Sequence, residues 1–573
     1  MSQTIAYHLV NHLVAAGVER VHGVVGDSLN AIVGEIHKSG RIQWIHYRHE
    51  EAAAFAAGAE AQLSGKLAVC AGSCGPGNLH LINGLYDAHR SGAPVLAIAA
   101  QIPSNEIGSS YFQETHPEHI FLECSHYRET IASSRQMPRI LQTAMQFAVG
   151  KKGVAVVTLS GDVAMEKMPD SFLEHPLLLN QPVVRPSDAE LAQLAALIAS
   201  AHRITLLCGA GCAGAHSALM QLCSVLKSPT VHALRGKEHV AYDNPYDVGM
   251  TGLIGISSGY HAVKDADLLI MLGTDFPYET FYPKSATIVQ VDINPERLGR
   301  RCAVNLGLTG DVRATIEALL PLLAARSDRS FLDACLDRFS RSARSLAERA
   351  KPRSTEKPIF PEYLSQLISD TAASDAIFTC DVGEPTVWAA RYVQMTAERR
   401  LIGSFNHGSM ASAMPQAIGA QLSFPHRQVI SMSGDGGFAM LMGDLLTIRQ
   451  YKLPVKIVVY NNGLLGFVSM EMKVIGMVPV GVDLDNPNFA LMADAIGIKG
   501  IRVETASALK PALEEAFAHP GPVLVDVLVN PAELTMPPSI ELEQAKGFGL
   551  YALRSIVSGE GAELWETLKT NFL

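Results

Sequence analysis

One stretch, residues 431–468, constrains the fold more than any other part of the sequence. A β-rich run ends in a Gly-Asp-Gly-Gly turn that contains Asp435, and a second β-rich run ends at Asn462. The 24 residues between the two motifs (437–460) suffice for one helix, over 438–451, and one strand. Parallel strands place their carboxyl ends on the same edge of a sheet. We therefore predict that Asp435 and Asn462 meet at that edge.

The two side chains at this edge suit a hard cation. Asp435 offers a carboxylate and Asn462 an amide oxygen, and Mg²⁺ is bound in this way when a diphosphate supplies further oxygens. Either motif alone is typical of a plain turn or a hairpin tip. Together, at this spacing, they resemble the diphosphate-anchoring motif of the thiamine-diphosphate enzymes. The resemblance implies thiamine diphosphate as cofactor, and Mg²⁺ bound by Asp435, Asn462 and the backbone carbonyl of Leu464.

The composition excludes several classes of protein. Of the 573 residues, 48% are hydrophobic and 18% charged, which is typical of a well-buried globular protein. A net charge of −10 argues against nucleic acid as a main partner, and the nine cysteines lack the paired spacing of zinc sites. No apolar run reaches the 18 residues that a membrane-spanning helix needs, and the N-terminus has the pattern of an amphipathic helix rather than of a signal peptide. We therefore expect a cytoplasmic protein.

Three segments repeat one pattern, in which a strand, a Gly-rich turn, a helix and a second strand follow each other. They lie at 67–98, at 204–231 and around Asp435. The pattern predicts an α/β fold of three doubly wound parallel-sheet domains, followed by a C-terminal amphipathic tail. The charged stretch 326–358 is interpreted as the linker between the second and third domains. With the roles that the resemblance implies, the boundaries are 1–182 for a thiamine-pyrimidine-binding domain, 183–337 for an FAD-binding domain, 338–532 for a diphosphate-binding domain and 533–573 for a membrane-binding tail.

In the first domain, Glu50 lies where a strand passes into an Ala-rich helix. On its own, a Glu at this place would be a partner of the helix dipole. In the thiamine-diphosphate enzymes a Glu at this junction hydrogen-bonds the pyrimidine ring of the cofactor, and Glu50 matches it better than Glu51 does. A second loop of this domain is either an ordinary surface loop or, by the resemblance, part of the substrate pocket. The implied substrate contacts are Phe112 and Gln113 of that loop and Val382 of the third domain.

The second domain contains a literal Gly-x-Gly-x-x-Gly motif at 209–214, between a strand and a helix. No acidic residue ends a strand about twenty residues later, so the motif is not interpreted as an NAD site. Runs at 249–255, 272–278 and 288–294 carry polar residues where open sheets bind nucleotides. They resemble the FAD site of the pyruvate oxidase and acetolactate synthase branches. The implied FAD contacts are Thr251, Gly252, Leu253, Ile254, Thr274, Asp275, Phe276, Pro277, Tyr278 and Asp292.

The third domain supplies the other residues that the resemblance assigns to thiamine diphosphate. Met410 matches an apolar wedge that keeps the cofactor bent in the family. Phe467 and Glu471 are four residues apart and therefore share a helix face. The resemblance implies that Phe467 and Glu471 are catalytic, together with Glu50 and Gln113. Glu471 would act in a later hydrolytic step. The implied cofactor contacts are Glu50, Gly408, Ser409, Met410, Asp435, Gly436, Gly437, Asn462, Gly463, Leu464, Leu465, Gly466, Phe467 and Val468.

The C-terminal segment begins with glycines at 558–561 and then places Leu564, Leu568 and Phe572 on one helical stripe, beside Trp565. Such a stripe either lies in a membrane surface, where apolar burial supplies the attraction, or packs on its own domain or on a neighbouring subunit. The pattern alone favours neither interpretation.

From end to end the chain resembles one branch of the family, the quinone-dependent pyruvate dehydrogenases, also called pyruvate oxidases. The likeness is carried by long stretches such as 68–85, 234–255 and 404–421. It implies oxidative decarboxylation of pyruvate to acetate and CO₂ with thiamine diphosphate, FAD and Mg²⁺, and transfer of the electrons to a membrane quinone (ubiquinone).

The same resemblance implies a homotetramer, in which Glu50 and Asp435 of one active site belong to different chains. It also implies a lipid-activated enzyme whose tail binds the phospholipid surface on the cytoplasmic face of the cell membrane. Three alternatives stay open at this point. They are an acetolactate synthase, a phosphate-dependent oxidase that yields acetyl phosphate, and a flavoprotein that keeps the fold without the chemistry.

Overall fold

The computed structural model describes residues 3–168, 178–353, 356–533, 550–552, 554–555, 564–565, 567 and 570. These residues form three six-stranded sheets, in which every neighbouring pair of strands is parallel. Helices connect the strands and cover both faces of each sheet. The predicted α/β fold of three doubly wound parallel-sheet domains is confirmed.

The described residues of the first domain form six strands and seven α-helices. The strands are β1 (Arg20–Gly23), β2 (Gln43–His46), β3 (Ala68–Gly72), β4 (Val95–Gln101), β5 (Tyr127–Ile131) and β6 (Val154–Ser160). The helices are α1 (Ile5–Ala15), α2 (Asn30–Ser39), α3 (Glu50–Ser64), α4 (Pro76–Ser91), α5 (Pro117–Ile120), α6 (Met137–Gly150) and α7 (Gly161–Ala164). The sheet order is β2-β1-β3-β4-β6-β5. Because β4 and β6 are central and covered on both faces, they are fully buried and mostly apolar, with polar residues only toward their carboxyl ends.

The second domain has the sheet order β12-β11-β10-β7-β8-β9. Its strands are β7 (Ile204–Cys208), β8 (Thr230–His232), β9 (Asp247–Met250), β10 (Leu268–Leu272), β11 (Thr287–Asp292) and β12 (Leu306–Thr309). Its helices are α8 (Asp188–Ser200), α9 (His216–Leu226), α10 (Lys237–Val240), α11 (Ser257–Lys264) and α12 (Val312–Leu319). A further helix, α13 (Ser330–Arg349), follows.

The third domain has the sheet order β14-β13-β15-β16-β18-β17. Its strands are β13 (Ile377–Cys380), β14 (Arg400–Gly403), β15 (Val429–Gly434), β16 (Lys456–Asn461), β17 (Lys499–Val503) and β18 (Val523–Leu528). Its helices are α14 (Pro361–Thr371), α15 (Glu384–Tyr392), α16 (Ala413–Ser423), α17 (Asp435–Leu441), α18 (Leu445–Tyr451), α19 (Gly466–Val474), α20 (Phe489–Ala495) and α21 (Ala506–Ala518).

Small residues join the first and third domains within the chain. The Ala-rich helix α3 packs between α4 and α16, and its alanines share one hydrophobic cluster with the third sheet. A Cβ at Gly84 would lie 2.5 Å from the Cβ of Ala54, and a Cβ at Gly419 would lie 2.1 Å from the carbonyl oxygen of Ala56. The two glycines therefore allow a helix spacing that no larger residue permits.

The connection between the two motifs of the third domain differs from the predicted single helix. Residues 438–451 belong to α17 and α18, with a 3₁₀ turn at Met442–Asp444 between them. The carboxylate of Asp444 accepts hydrogen bonds from the Thr447 hydroxyl at 2.7 Å and from the Arg48 backbone N–H at 2.9 Å. The break thus lies at an Asp inside the apolar pattern whose side chain bonds the Thr447 hydroxyl and the backbone of the first domain.

The charged stretch 326–358 contains α13, a helix of 20 residues, rather than extended chain alone. Leu332 and Cys335 are buried, and Cys335 packs in an apolar cluster of the second domain. Charged residues cover the other faces, which explains why the composition resembles a linker. The predicted domain boundaries at 182, 337 and 532 stay predictions.

The tail contacts the third domain at its described residues. Leu564 and Thr567 are buried, whereas Trp565 is 57% exposed. Asn530 Nδ2 donates to the Thr570 hydroxyl at 3.3 Å. Leu568 and Phe572 of the predicted stripe lie outside the described residues. Among the described helices, none has the length and apolar character to cross a membrane.

The close approach of α3 and α16 predicts the effect of a single methyl group. We expect Gly419→Ala to lower the free energy of unfolding by about 1–3 kcal/mol, since the added Cβ overlaps the Ala56 carbonyl. Gly34→Ala in α2 is the matched control, because its Cβ meets nothing within 4 Å. Thermal or urea unfolding followed by circular dichroism measures both variants. Equal stability of Gly419→Ala and the wild type would contradict this packing.

Candidate active site

The two predicted ligand loops lie side by side in the third domain. Strands β15 and β16 are neighbours, with Gly434 opposite Tyr460, so the loops that follow them leave the same edge of the sheet. The backbone N–H of Gly463 donates to Oδ2 of Asp435 at 2.7 Å, which connects the loops directly. The two strand ends therefore meet at one edge of the sheet, as predicted.

Asp435 is a buried carboxylate held by N–H donors. The residue is 3% exposed. Oδ1 accepts from the Gly436 backbone at 2.8 Å, and Oδ2 accepts from Asn486 Nδ2 at 2.8 Å. Burial raises the pKa of Asp435, and these hydrogen bonds oppose the rise. Burial places the negative charge of Asp435 in surroundings of low dielectric constant. A divalent cation bound here would compensate that charge.

Asn462 is oriented by two contacts. Its Nδ2 donates to Oε2 of Glu384 at 3.0 Å, and its Oδ1 accepts from the Leu464 backbone at 3.0 Å. Glu384 is the first residue of α15. Burial, and then the charge of Asp435, raises the pKa of Glu384 to about 8.

The sequence interpretation missed both Glu384 and Asn486. Glu384 follows a predicted strand end directly, so its position gave a usable signal. Asn486 gave none, because it lies on a loop between α19 and α20 without a recognisable motif. Its Nδ2 also donates to Oδ1 of Asn461 at 3.1 Å, so it bridges the two ligand loops.

Glycines and apolar side chains form the floor of this edge. A Cβ at Gly436 would lie 3.0 Å from Leu465 and 3.3 Å from Met410, and a Cβ at Gly437 would lie 2.5 Å from a carboxylate oxygen of Asp381. The backbone of Gly408 has a φ of +86°. The oxygen donors, the space above the glycines and the helix start at Gly466 fit a magnesium diphosphate.

The other predicted residues of α19 occupy its outer side. Phe467 is half-buried, whereas Val468 and Glu471 are exposed. Val382 is half-buried after β13. The common face of Phe467 and Glu471 follows from their helix, and their roles stay predictions.

In the first domain, Glu50 begins α3 and is 8% exposed. Its Oε2 lies 2.9 Å from Nδ1 of His80, and the absence of a side chain at Gly77 leaves room for the carboxylate. His49 caps the helix, since its Nδ1 accepts from the Glu51 backbone at 3.2 Å. Within the described residues, the Glu50 carboxylate forms a hydrogen bond with His80 and none with a residue of the third domain.

A cleft of about 630 Å³ opens beside this helix start. In it, Asn83 Nδ2 donates to Glu51 Oε1 at 2.7 Å and to the Ser409 hydroxyl at 2.9 Å. A predicted cofactor contact, Ser409, is thus bonded to the first domain of its own chain. The residues that line the cleft are His49, Glu51, Leu79, His80, Ile82, Asn83, Tyr86 and His407.

The predicted substrate loop is strained and open. Gln113 has a φ of +64°, and its Cβ lies 2.8 Å from where a Cβ of Gly75 would be. Gln113 Oε1 lies 3.5 Å from the Cys74 thiol, and the Phe112 ring is 78% exposed. A non-glycine residue in the left-handed backbone conformation often occurs in functional loops.

The runs of the second domain that are predicted to bind flavin lie at the carboxyl edge of its sheet. Phe276 lies against Gly252, 3.2 Å from a Cβ there, and stacks edge-on with Tyr278. The Thr251 hydroxyl is buried and has no hydrogen-bond partner within the described chain. Asp292 is also buried, which raises its pKa. An orphaned hydroxyl and a buried acid at a strand edge fit a nucleotide ligand.

The remaining residues of these runs lie around the same edge. Asp275 pairs with Arg301 at 3.2 Å and also with Arg300. Leu253 and Pro277 are exposed, whereas Thr274 is buried. The carbonyl of Ile254 accepts from Nε of Arg391 in α15 at 3.2 Å.

The glycine motif at 209–214 has a structural explanation. A Cβ at Gly211 would lie 2.6 Å from Cα of Gly273, so the loops after β7 and β10 touch through their backbones. The motif allows this approach and does not by itself indicate a dinucleotide.

Comparison with known proteins identifies the family. Residues 3–120 match the description "Thiamine pyrophosphate enzyme, N-terminal TPP binding domain", 191–319 match its central domain and 381–527 match its C-terminal TPP binding domain. The chain belongs to the thiamine pyrophosphate enzyme family. The resemblance to thiamine-diphosphate enzymes is thereby confirmed.

Relatives of this thiamine pyrophosphate enzyme include proteins of different activity. YdaP of Bacillus subtilis, whose description names thiamine pyrophosphate, is 37% identical over 96% of this chain and 95% of its own. The pyruvate oxidase of Lactiplantibacillus plantarum is 30% identical over 91% of this chain and 88% of its own. Acetolactate synthase isozyme 2 of Escherichia coli is 30% identical over 93% of this chain and 96% of its own.

Asn486 offers a test of the metal edge in this thiamine pyrophosphate enzyme. We expect Asn486→Ala to weaken Mg²⁺-dependent binding of thiamine diphosphate by on the order of 10- to 100-fold, because Asp435 loses the donor that orients it. Titration calorimetry with saturating Mg²⁺ measures the affinity.

Asn488→Ala is the matched control for this variant. Asn488 caps α20 by accepting from the Leu491 backbone and does not contact Asp435, so its removal costs stability and not cofactor affinity. Equal affinities of Asn486→Ala and the wild type would contradict the role of Asn486.

Proposed function

We propose that this thiamine pyrophosphate enzyme oxidises pyruvate, with water, to acetate and CO₂ and passes the two electrons through FAD to a membrane quinone (ubiquinone). The observation that carries the proposal is the combination, in one chain, of two strand edges suited to different cofactors. One presents Asp435 and Asn462, and the other presents Thr251 and Asp292. Pyruvate oxidase among the relatives supports the substrate.

Thiamine diphosphate, when bound, supplies an electron sink for decarboxylation of a 2-oxo acid. The chain's own residues would bind and orient it. Asp435, Asn462 and the Leu464 carbonyl would hold Mg²⁺ with the diphosphate, and Met410 would support the cofactor from the apolar side. Glu50 would hydrogen-bond a ring nitrogen of the pyrimidine and hold a proton there.

The substrate would enter on the side of Phe112 and Gln113. Both residues lie on an open loop, so a second subunit would have to cover them before water could be excluded. The homotetramer proposed from the resemblance provides such a cover. It would also bring Glu50 of one chain to Asp435 of another, which accords with the absence of a bond between Glu50 and the third domain in the described chain.

The product distinguishes this proposal from its rivals. The purified enzyme, loaded with thiamine diphosphate, Mg²⁺ and FAD, is incubated with pyruvate and a quinone analogue. We expect acetate, CO₂ and reduced quinone in equal amounts, whether or not phosphate is present. Acetolactate as the product would establish the synthase activity of other relatives instead, and a requirement for phosphate would establish an acetyl-phosphate-forming oxidase.

Glu50 carries a further prediction. We expect Glu50→Gln to slow pyruvate-dependent flavin reduction by on the order of 10²- to 10⁴-fold, because the amide cannot exchange a proton with the pyrimidine. Anaerobic stopped-flow absorbance of the flavin measures the rate. Glu51→Gln, one residue along the same helix turn, should reduce flavin near the wild-type rate; a wild-type rate in Glu50→Gln would refute the assignment.

The tail is proposed to bind phospholipid and so to bring the enzyme to its quinone. Exposed Trp565 is suited to a membrane interface. Removal of the residues after Ser558 should leave pyruvate-dependent flavin reduction in solution intact and abolish its stimulation by phospholipid vesicles in a quinone-reduction assay. If the truncated enzyme reduces quinone in lipid as fast as the full chain, the tail has no such role.

A further inference from the structure

Glu384 lies on the same sheet edge as the two proposed metal ligands. Strands β13, β15 and β16 are consecutive neighbours in the third sheet, and Cys380 at the end of β13 pairs with Met432. The three loops that follow these strands therefore leave the edge next to one another. Glu384, Asp435 and Asn462 lie on these three loops, one on each, and all three have oxygen-bearing side chains.

The carboxylate of Glu384 points into this edge. Its Oε2 accepts from Asn462 Nδ2 at 3.0 Å, so the amide of a proposed ligand is fixed by Glu384. On the other side, a Cβ at Gly466 would lie 2.4 Å from Oε1 of Glu384. Gly466 thus leaves space for the carboxylate at the start of α19, where a side chain would displace it.

The two carboxylates repel each other, and the charge of Lys473 offsets only part of that repulsion at Glu384. The charge of Asp435 acts unfavourably on Glu384. In the described part of the chain, neither residue forms an ion pair with Lys, Arg or His within 4.0 Å. A buried carboxylate beside a half-buried one, neither of them in an ion pair among the described residues, is costly unless a cation joins them.

We infer that Glu384 is a third oxygen ligand of the divalent cation, directly or through one bound water. This inference rests on the proposed function, because it concerns the same Mg²⁺ site. Mg²⁺ in proteins is commonly held by one or two carboxylates together with phosphate oxygens. With both carboxylates ionised, the site would supply two negative charges to the cation before the diphosphate arrives, so we expect the protein to bind the cation without thiamine diphosphate.

A different effect of Glu384 leads to the opposite expectation. Glu384 lies beside helix starts that would face the diphosphate. If its carboxylate did not bind the cation, it would repel the diphosphate. In that case removal of its charge would tighten thiamine diphosphate binding and leave cation affinity unchanged. The two roles therefore differ in sign.

Binding of Mn²⁺ as a substitute for Mg²⁺ separates these roles without any activity measurement. Electron paramagnetic resonance measures free Mn²⁺ in titrations of the full chain, with and without thiamine diphosphate. We expect Glu384→Gln, which keeps an acceptor for Asn462, to weaken Mn²⁺ binding by on the order of 10- to 100-fold in both titrations. Glu514→Gln on the exposed face of α21 is the matched control for the loss of one charge and should bind as the wild type does.

An Mn²⁺ affinity of Glu384→Gln equal to that of the wild type overturns the inference, and tighter binding of thiamine diphosphate by this variant overturns it in favour of repulsion. Circular dichroism of the variant verifies that it is folded. Both results leave the proposed function intact if the wild type binds Mn²⁺ with thiamine diphosphate. Failure of the wild type to bind Mn²⁺ even with thiamine diphosphate would instead overturn the proposed site, and the inference with it.

Discussion

The hydrogen bond from the Gly463 backbone to Asp435 is the contact on which the arrangement of the candidate site depends. It connects the ends of β15 and β16, two neighbouring strands whose parallel pairing fixes the distance between their loops. Because Asp435 is buried, its carboxylate needs donors on every side, and the backbone and Asn486 supply them. The same contacts hold the carboxylate oxygens in place before any ligand binds, which lowers the cost of binding a cation.

Helix α15 connects this site to the second domain. Glu384 at its first position contacts Asn462, and Arg391 near its end donates to the carbonyl of Ile254 in a run predicted to bind flavin. Buried Lys237 of the second domain donates to the carbonyl of Ala390 at 2.6 Å and so satisfies the C-terminal end of the helix. The two proposed cofactor edges are therefore joined by one rigid element of nine residues.

The first domain is positioned by packing rather than by polar contacts alone. The alanines of α3 and the glycines of α4 and α16 allow backbones to approach closely, so the first and third domains share a core. This packing places Glu51 and Asn83 beside Ser409, while Glu50 turns to His80. Glu50 itself is buried, and the cleft beside it opens to the surface of the chain, where the proposed homotetramer would place a second copy.

The sequence by itself determined the fold class, the three domains and the pair formed by Asp435 and Asn462. These follow from local patterns: apolar runs of strand length, Gly-rich turns after them, and the rule that parallel strands end on one edge. It could not determine the break between α17 and α18, or the helix α13 inside a charged stretch. Both depend on which side chains become buried or hydrogen-bonded in the folded chain. Only the tertiary structure brought Glu384 and Asn486 to the edge and turned the 209–214 motif into a backbone contact with Gly273. Such contacts join residues far apart in the chain, and their formation depends on the packing of whole elements, which no local spacing encodes.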